Sequence, residues 1–327
     1  MTSPDRAPIL RRRERFDSEI ERVLVFADEG KPGVHDLVDR IVPFLERRCQ
    51  EVVVHRDLRR ACKRIQARPL PELELPDLVV VLGGDGSILS VVRALGEHPV
   101  PTIGINFGRI GFLASVLATH WYEALEELFS GQCVIEPRMR LAGQLHHASG
   151  APVSAVSLND MVVQRGAAQG MMTLSLSDSD RWVSDYRCDG LIVSSPSGST
   201  AHSLAAGGPI LAPSMRGLVV TPISPQSLSH RPMVMHPDSE LEVSVAKSHG
   251  LVTLAVDGHG FYPMQVGDRL RVSRHPQTYP LLARPNSDPY ARIRERLGWR
   301  GTFDLEPGIE LDLERSPTSD VGEGEML

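Results

Sequence analysis

A strand, a glycine-rich turn and a helix follow one another without a break in residues 77–95, DLVVVLGGDGSILSVVRAL. Leu78 to Leu82 form an uninterrupted apolar run, which is typical of a strand buried on both faces of a parallel sheet. From Ser87 the apolar residues recur at helical spacing. The glycines let backbone N–H groups approach an anion, and the helix start favours negative charge. Asp85 adds a carboxylate, so the segment predicts a general base or metal partner beside a phosphate; a tight turn is the alternative.

The first part of the chain alternates between strand and helix patterns. Strands are predicted at residues 22–27, 51–54 and 100–105, and helices at residues 34–49, 58–65 and 121–129. This alternation indicates parallel βαβ units, whose ligands bind beyond the carboxyl ends of the strands. The turn at 83–86 lies at such an end. Asn106, Phe107 and Gly108 follow the next strand in the same way, so we expect both loops to line one crevice.

From about residue 138 the pattern changes to short strands separated by Gly, Ser, Asp and Pro. One helical insertion at 199–206 and a final helix at 290–297 interrupt it. We therefore expect a second, β-rich domain. Its predicted strands are residues 134–141, 155–164, 172–176, 191–194, 218–222, 241–245, 252–255 and 269–272.

Composition narrows the class of protein. The hydrophobic content of 41% and charged content of 23% are typical of a globular protein, and no apolar run reaches the ~20 residues of a membrane helix. The N-terminus lacks the apolar core of a secretory signal. The net charge of −6 argues against general nucleic-acid binding. Four scattered cysteines without CxxC spacing favour a reducing cytoplasm, and no histidine pattern predicts a structural metal.

The two ends of the chain carry opposite charge. An RRRER run near the N-terminus predicts a solvated basic arm. Residues 303–327 contain eight acids and one base, interrupted by Pro and Gly. We therefore predict a disordered acidic tail at residues 302–327.

Residues 187–210, RCDGLIVSSPSGSTAHSLAAGGPI, combine a strand, a turn and a predicted helix of small residues. Hydroxyls and N–H donors would converge at the helix start, where they favour phosphates. The small side chains would let a flat group such as adenine lie close to the backbone. The alternative is an Ala- and Gly-rich helix packed in a core.

Three further features have two interpretations each. Asn159 and Asp160 pair a carboxamide with a carboxylate, which suits a ribose diol but equally a turn. Asp257 followed by Gly258 is a strong hairpin signal, and a binding role for Asp257 stays equally open. Arg187 either meets dinucleotide phosphates or pairs with an acid at the surface.

Together these segments resemble the NAD kinase family. The matching motifs are GGDGS at 83–87, LND at 158–160, the 187–210 segment, PISPQSLSHRPMV at 222–234, VDGH at 256–259 and the closing DPYARIRERLGW. The resemblance spans residues from about 79 to 299. GGDG alone also occurs in phosphofructokinases and diacylglycerol kinases, so the 187–210 segment is the specific match.

The resemblance implies transfer of the terminal phosphoryl group of ATP to the adenosine-ribose 2′-hydroxyl of NAD. It implies an α/β N-terminal domain with a parallel sheet (1–137, rejoined by 285–301) and an all-β, sandwich-like NAD-binding domain (138–284). It also implies a homo-oligomer. Asp85 would accept the hydroxyl proton. The other expected substrate contacts are Gly83, Gly84, Gly86, Phe107, Asn159, Asp160, Arg187, Asp189, Ser197, Thr200, Ala201, His202, Ser203, Leu204, Ala205, Asp257 and His259.

A divalent cation, Mg²⁺ by expectation, is implied because the charge of a transferring phosphoryl group must be neutralised. No dedicated protein site for it is visible, so we expect it to arrive with ATP. ATP and polyphosphate both remain open as donors.

Two residues depart from the family pattern: Asp160 stands where the family has Glu, and His202 where it has Tyr. Both changes put affinity in question more than activity. Two alternatives remain: another GGDG kinase acting on a sugar phosphate or lipid, and a non-catalytic NAD(P)-binding sensor.

Overall fold

Valine-rich segments form the inner strands of a mostly parallel sheet. The computed structural model describes residues 14–55, 75–148, 150–166 and 170–299. Strands β1 (Arg22–Ala27), β2 (Glu51–His55), β3 (Leu78–Leu82) and β4 (Thr102–Asn106) pair in parallel in the order β2-β1-β3-β4. All five residues of β3 are buried, as the apolar run predicts. A two-residue strand, β5 (Val116–Leu117), pairs in parallel with the end of β4.

Helices cover both faces of this sheet. Helix α1 (Val34–Glu46) and helix α3 (Trp121–Phe129) share one buried cluster with the sheet. Helix α2 (Asp85–Leu95) packs on the other face, in a cluster that includes Val79 and Val81. Helix α2 therefore starts at the carboxyl end of β3, where the sequence places it.

The second domain consists of two six-stranded antiparallel sheets. Side chains from both sheets form one large buried cluster, which is the arrangement of a β-sandwich. After β6 (Val134–Arg138), its strands are β7 (Leu141–His146), β8 (Val153–Ser157), β9 (Asp160–Arg165), β10 (Met172–Asp178), β11 (Arg181–Cys188), β12 (Gly190–Ser194), β13 (Leu218–Ile223), β14 (Met233–Met235), β15 (Leu241–Lys247), β16 (Val252–Val256), β17 (Gly260–Met264) and β18 (Arg269–Arg274). The sheets run β11-β10-β15-β18-β7-β8 and β14-β13-β12-β9-β16-β17. The predicted fold class is confirmed.

The chain then returns to the first sheet. Strand β19 (Tyr279–Ala283) pairs in parallel with β4 and antiparallel with β6, so it lies between them. The return therefore begins at Tyr279, before the residue 285 that the resemblance implied. Helix α5 (Pro289–Leu297) follows and forms an ion pair with β6, between Arg292 and Glu136.

Several predicted elements differ from the structure. The strand predicted at 134–141 is two strands, and β6 belongs to the first sheet rather than the second domain. The strand predicted at 155–164 is also two strands, β8 and β9, which lie in different sheets. The helix predicted at 199–206 is a 3₁₀ turn at Gly198–Thr200 followed by the four-residue helix α4 (His202–Ala205). The backbone of Ala201, at φ −105° and ψ −123°, separates them.

Other predictions fall outside the described residues: the helix at 58–65, the first three residues of the RRRER arm and the acidic tail at 302–327. The end of that arm is described, and there Arg15 forms an antiparallel bridge with Val134 of β6. Within the described ranges, Cys49, Cys133 and Cys188 are free thiols. No helix in those ranges is long and apolar enough to span a bilayer.

Candidate functional site

Asp85 is the first residue of α2, and a neighbouring loop holds its carboxylate. Oδ2 accepts a hydrogen bond from the backbone N–H of Phe112 at 2.9 Å. Oδ1 accepts two more, from Leu113 and Ala114, both at 3.0 Å. These donors belong to the loop between β4 and β5, so the GGDG turn and that loop meet at one edge of the sheet, as the topology predicts.

The glycines of the turn differ in what surrounds them. A β-carbon on Gly83 would collide with the Ser87 side chain, whereas one on Gly84 would make only ordinary van der Waals contact with Asn106. Gly86 is exposed, with no neighbouring atom within 4 Å of a β-carbon, which leaves its surface free for a ligand. Phe107 is half-buried and packs against the first-domain core.

Asp28 lies beside the GGDG turn, although the sequence analysis did not single it out. It follows β1, and its Oδ2 accepts a hydrogen bond from Ser87 Oγ at 3.2 Å, while Oδ1 accepts from the N–H of Gly30 at 3.1 Å. The available signal was its position: an acidic residue directly after a strand that neighbours β3 must lie beside the GGDG turn.

Asn159 and Asp160 lie where the chain passes from β8 to β9. The backbone N–H groups of Leu158, Asn159 and Asp160 donate to the Asp257 carboxylate at 2.9, 2.8 and 3.1 Å. Asp257 and Gly258 adopt φ angles of 47° and 70° in the turn between β16 and β17. Asp257 is therefore both a hairpin residue and the anchor of the Asn159 segment.

Two buried carboxylates adjoin one another at this point. Burial, with a smaller contribution from Asp257, raises the pKa of Asp160 to about 7. Burial also raises the pKa of Asp257, although its three backbone N–H donors act in the opposite direction. Because those donors favour the charged form, Asp257 stays the ionised member and Asp160 takes up the proton.

The segment at 194–200 packs directly against Asn159, since a β-carbon on Gly198 would collide with the Asn159 carbonyl. Most hydroxyls predicted to face a ligand are instead used inside the protein. Four hydroxyls donate to backbone carbonyls: Ser194 to Ser195 O, Ser195 to Leu158 O, Ser199 to Pro196 O and Thr200 to Ser197 O. A fifth, that of Ser203, shares a hydrogen bond with the hydroxyl of Thr221. The exception is Ser197: its Oγ and the Oδ1 of Asn159 are buried without a hydrogen-bond partner among the described residues.

Residues 201–205 form a partly exposed surface beside the 194–200 segment, called the rim below. Most of its side chains are small, and the imidazole ring of His202 is its one aromatic group. His202 and Ala205 are exposed, and Ala201 and Leu204 are half-buried. Ser203 points inward and is buried. His259, beyond the Asp257 turn, is exposed, and its Nδ1 lies 2.8 Å from the Asp257 carbonyl.

Arg187 and Asp189 take different positions at the end of β11. The Asp189 carboxylate accepts from Arg165 Nε at 2.7 Å, so it forms an ion pair at the surface. Arg187 is exposed, and no acid in the described ranges pairs with it. The alternative of a surface ion pair for Arg187 is therefore not what the structure contains.

Helix α2 connects the two groups of residues. Leu158 belongs to the same buried cluster as Ile88 and Leu89 of α2. The positive charge of Arg93 on α2 also partly opposes the rise that burial causes in the pKa of Asp257. The GGDG turn and Asp28 thus lie at the N-terminal end of this helix, and the Asn159 segment packs along it. No group of three or more potential metal ligands occurs within the described residues.

Comparisons with known proteins agree with this arrangement. Residues 23–133 match the ATP-NAD kinase N-terminal domain, and residues 158–283 match the ATP-NAD kinase C-terminal domain. An NAD kinase from Rhodopirellula baltica is 38% identical over 229 residues, covering 70% of this chain and 74% of the relative. The chain belongs to the NAD kinase family.

A second relative, the NAD kinase of Heliobacterium modesticaldum, is 36% identical over 277 residues, covering 84% of this chain and 97% of the relative. Among solved structures, yeast NADH kinase complexed with NADH superposes with a TM-score of 0.78 at 22% identity, covering 91% and 94% of the two chains. An NAD kinase from Archaeoglobus fulgidus in complex with ATP superposes with a TM-score of 0.65 at 22% identity, covering 86% of this chain and 100% of the other. These structures share the fold, and the predicted NAD kinase family membership is confirmed.

Proposed function

We propose that this NAD kinase family member transfers the terminal phosphoryl group of ATP to the adenosine-ribose 2′-hydroxyl of NAD, yielding NADP and ADP. One observation carries the assignment of the NAD site. Asn159 Oδ1 and Ser197 Oγ are buried polar atoms without partners, and they lie where the 194–200 segment packs on Asn159. Because an unpaired buried polar group costs about 1–3 kcal/mol, a pair of them beside an open rim indicates a polar ligand.

Asn159 and Asp160 are assigned to a ribose diol. A carboxamide and a carboxyl group can both accept and, when Asp160 is protonated, both donate hydrogen bonds to hydroxyls. Asp160 is one methylene shorter than the Glu of the family, so a water molecule completes this contact in our proposal. The small residues from Ala201 to Ala205 allow the adenine to lie near the backbone, and His202 stacks at its edge.

Asp85 is assigned the role of proton acceptor. An ionised carboxylate offers about four acceptor positions. In Asp85, Oδ1 already accepts two N–H groups and Oδ2 accepts one. Oδ2 therefore retains the greater capacity, and we assign it the 2′-hydroxyl proton as the oxygen attacks the terminal phosphorus. The bond from that phosphorus to the bridging oxygen of ADP breaks, and the leaving electron pair stays on ADP.

A divalent cation bound to the ATP phosphates would neutralise charge on the transferring group. The nearby carboxylates, Asp28 and Asp85, both accept hydrogen bonds from the protein. Since the described residues contain no group of three or more potential metal ligands, the site fits a cation held mainly by the nucleotide.

Three broader features belong to the same proposal. ATP is the donor, although the residues of the site do not distinguish it from polyphosphate. The protein is a cytoplasmic homo-oligomer. The scattered cysteines support the cytoplasmic location. Exposed apolar residues at sheet edges, such as Phe261 on β17 with 62% exposure, support the homo-oligomer.

The test is to incubate the purified full chain with ATP, Mg²⁺ and NAD and to assay NADP. Asn159→Ala should raise the KM for NAD at least tenfold, about 1.4 kcal/mol of lost binding. Asn286→Ala, at an exposed position between β19 and α5, is the matched control. A parent protein that binds NAD yet forms no NADP with ATP or polyphosphate would favour the sensor. One that consumes ATP only with a sugar phosphate or lipid would favour another GGDG kinase.

A further inference from the structure

The chain passes between the two domains twice, and one buried arginine holds both passages together. The first passage, residues 139–140, joins β6 to β7, and the second, residues 275–278, joins β18 to β19. The backbone N–H of His275 donates to the Arg140 carbonyl at 2.9 Å. The Arg140 side chain binds the second passage as well. Its Nε donates to the Gln277 carbonyl at 3.1 Å, and its Nη2 lies 3.1 Å from His275 Nδ1.

The same side chain reaches the C-terminal end of α2. Arg140 Nη1 donates at 2.8 Å to the carbonyl of Gly96, the residue that caps this helix. Beside it, His275 Nε2 lies 2.7 Å from Glu97 Oε2. Arg140 is fully buried, so water does not compete for its donors. Both passages are thereby attached to one end of α2, and Asp85 is the first residue at the other end.

These contacts matter because the candidate site is divided between the domains. Asp85 and the loop at 111–114 that binds it belong to the first domain, whereas Asn159 and Asp257 belong to the second. Each half is held by hydrogen bonds within its own domain. The orientation of the second domain relative to α2 therefore decides where a ribose bound at Asn159 lies with respect to Asp85.

The second domain meets α2 in two ways. Leu158 packs in the buried cluster along the helix, and Arg140 binds the end of the helix. A domain held by packing at one place can rotate about it, whereas a second attachment at the helix end opposes that rotation. A guanidinium suits this role because its donors are arranged in a rigid, planar fork that can reach several acceptors at once.

We propose that Arg140 is a positioning residue for phosphoryl transfer. It fixes both interdomain passages to the end of α2 and so sets the orientation in which NAD is presented to Asp85. Domain rotations are absorbed by a few residues at the ends of secondary-structure elements, and the two passages are such positions. This inference rests on the proposed function and adds to it a residue outside the site on which turnover depends.

A matched pair of variants tests the inference. Arg140→Met removes every donor of the side chain. Arg284→Met also removes an arginine with several hydrogen bonds, but its partner, Glu127, lies in the same domain. We expect kcat to fall about 10- to 100-fold in Arg140→Met, because a misplacement of about 1 Å is sufficient for such a loss, and less than about threefold in Arg284→Met. An equal kcat in the two variants would overturn the inference.

NAD affinity and the conservative variant give two further readouts. The dissociation constant for NAD, measured by titration calorimetry, should stay within about twofold in Arg140→Met, because the NAD half of the site keeps its own contacts. Arg140→Lys should recover little of the lost kcat, since one ammonium group cannot reproduce the fork. A kcat and an NAD affinity that fall together would show a general structural role and would overturn the inference.

Hydrogen exchange of the same variants separates positioning from loss of structure and does not require activity. In Arg140→Met, the amides of the second passage at 275–277 should exchange at least about tenfold faster than in the parent. The amides at 112–114 and at 158–160, which bind the two site carboxylates, should keep the exchange rates of the parent. Faster exchange in all three segments would contradict the inference.

If Arg140→Met does not fold, His275→Ala takes its place, because it removes one contact of Arg140 and the link to Glu97. We then expect kcat to fall about three- to tenfold, with the same exchange pattern, and an unchanged kcat would overturn the inference. A parent chain that forms no NADP would refute the proposed function instead. The exchange pattern would still show whether Arg140 holds the two passages, so the two failures are distinguishable.

Discussion

The carboxylate of Asp85 fills the space that a β-carbon on Gly111 would occupy. Gly111 is buried, and its N–H donates to the Ala114 carbonyl at 2.9 Å, so the loop closes around the carboxylate. Although Asp85 and Gly111 are far apart in sequence, the position of the Asp85 carboxylate leaves no room for a side chain at residue 111.

Gly111→Ala should therefore displace the Asp85 carboxylate without touching the NAD-binding segment. We expect kcat to fall about 10- to 100-fold, because a displacement of about 1 Å is sufficient for such a loss, with little change in NAD affinity. Gly108→Ala is the control, since a β-carbon there meets no atom within 4 Å. Steady-state kinetics measures kcat for both variants, and titration calorimetry measures their affinity for NAD. An equal kcat in the two variants would show that the contact between Gly111 and Asp85 does not matter for catalysis.

Asp85→Asn should reduce kcat by about 10²- to 10⁴-fold while NAD still binds. The amide cannot accept the hydroxyl proton, and its NH₂ group would also face one of the three loop N–H donors. Asp77→Asn is the matched control: Asp77 likewise accepts two backbone N–H groups, from Glu21 and Arg22, but at the opposite end of β3. Lost binding with an unchanged kcat in Asp85→Asn would make Asp85 a substrate contact only.

The buried Asp160 should make stability depend on pH. Its pKa is about 7 in the folded protein against an ordinary 3.8, so the native state holds a proton that the unfolded state releases. This contribution is fully present below pH 3.8 and is lost as the pH rises through about 7. Urea unfolding at pH 5 and pH 8 should show a decline of roughly 2–3 kcal/mol from this group.

Asp160→Asn should flatten that decline, whereas Asp39→Asn, at an exposed position on α1, should leave it intact. If the two variants show the same pH dependence as the parent, Asp160 does not take up the proton.

His202→Ala should weaken NAD binding by about 1–2 kcal/mol, which is the range of aromatic contacts, and His202→Tyr should be tolerated. The side chain is exposed and forms no hydrogen bond within the described residues, so its loss should not affect folding. Titration calorimetry with NAD measures the effect, and His249→Ala provides an exposed histidine for comparison. Unchanged affinity in all the variants would place His202 outside the site.

The strand–turn–helix at 77–95 could be predicted because its pattern is local. An apolar run is followed by two glycines and then by apolar residues at helical spacing, all within 19 consecutive residues. The segment at 155–164 shows the limit of such patterns. Its apolar residues continue through Leu158, but the chain changes sheets there because Asp257, about 100 positions away, binds three successive N–H groups. A contact of that kind leaves no periodic signal in either segment.

The residues of the candidate site likewise include some that the sequence predicts and others that it does not. Motifs identified Asp85, Asn159 and Ser197, yet the hydroxyls of Ser199 and Ser203 were expected to face a ligand and instead bond inside the protein. A hydroxyl has the same appearance in the sequence whether it serves folding or binding.

The position of β19 governs the order in which the protein can be assembled during synthesis. Among the described strands, β6 joins the first sheet through β19, which lies between it and β4. A ribosome must therefore translate the entire sandwich before residues 279–283 emerge and β6 gains its neighbour. The first domain is encoded first but completed last, so the part of the β4 edge that β5 does not cover stays open throughout translation of the second.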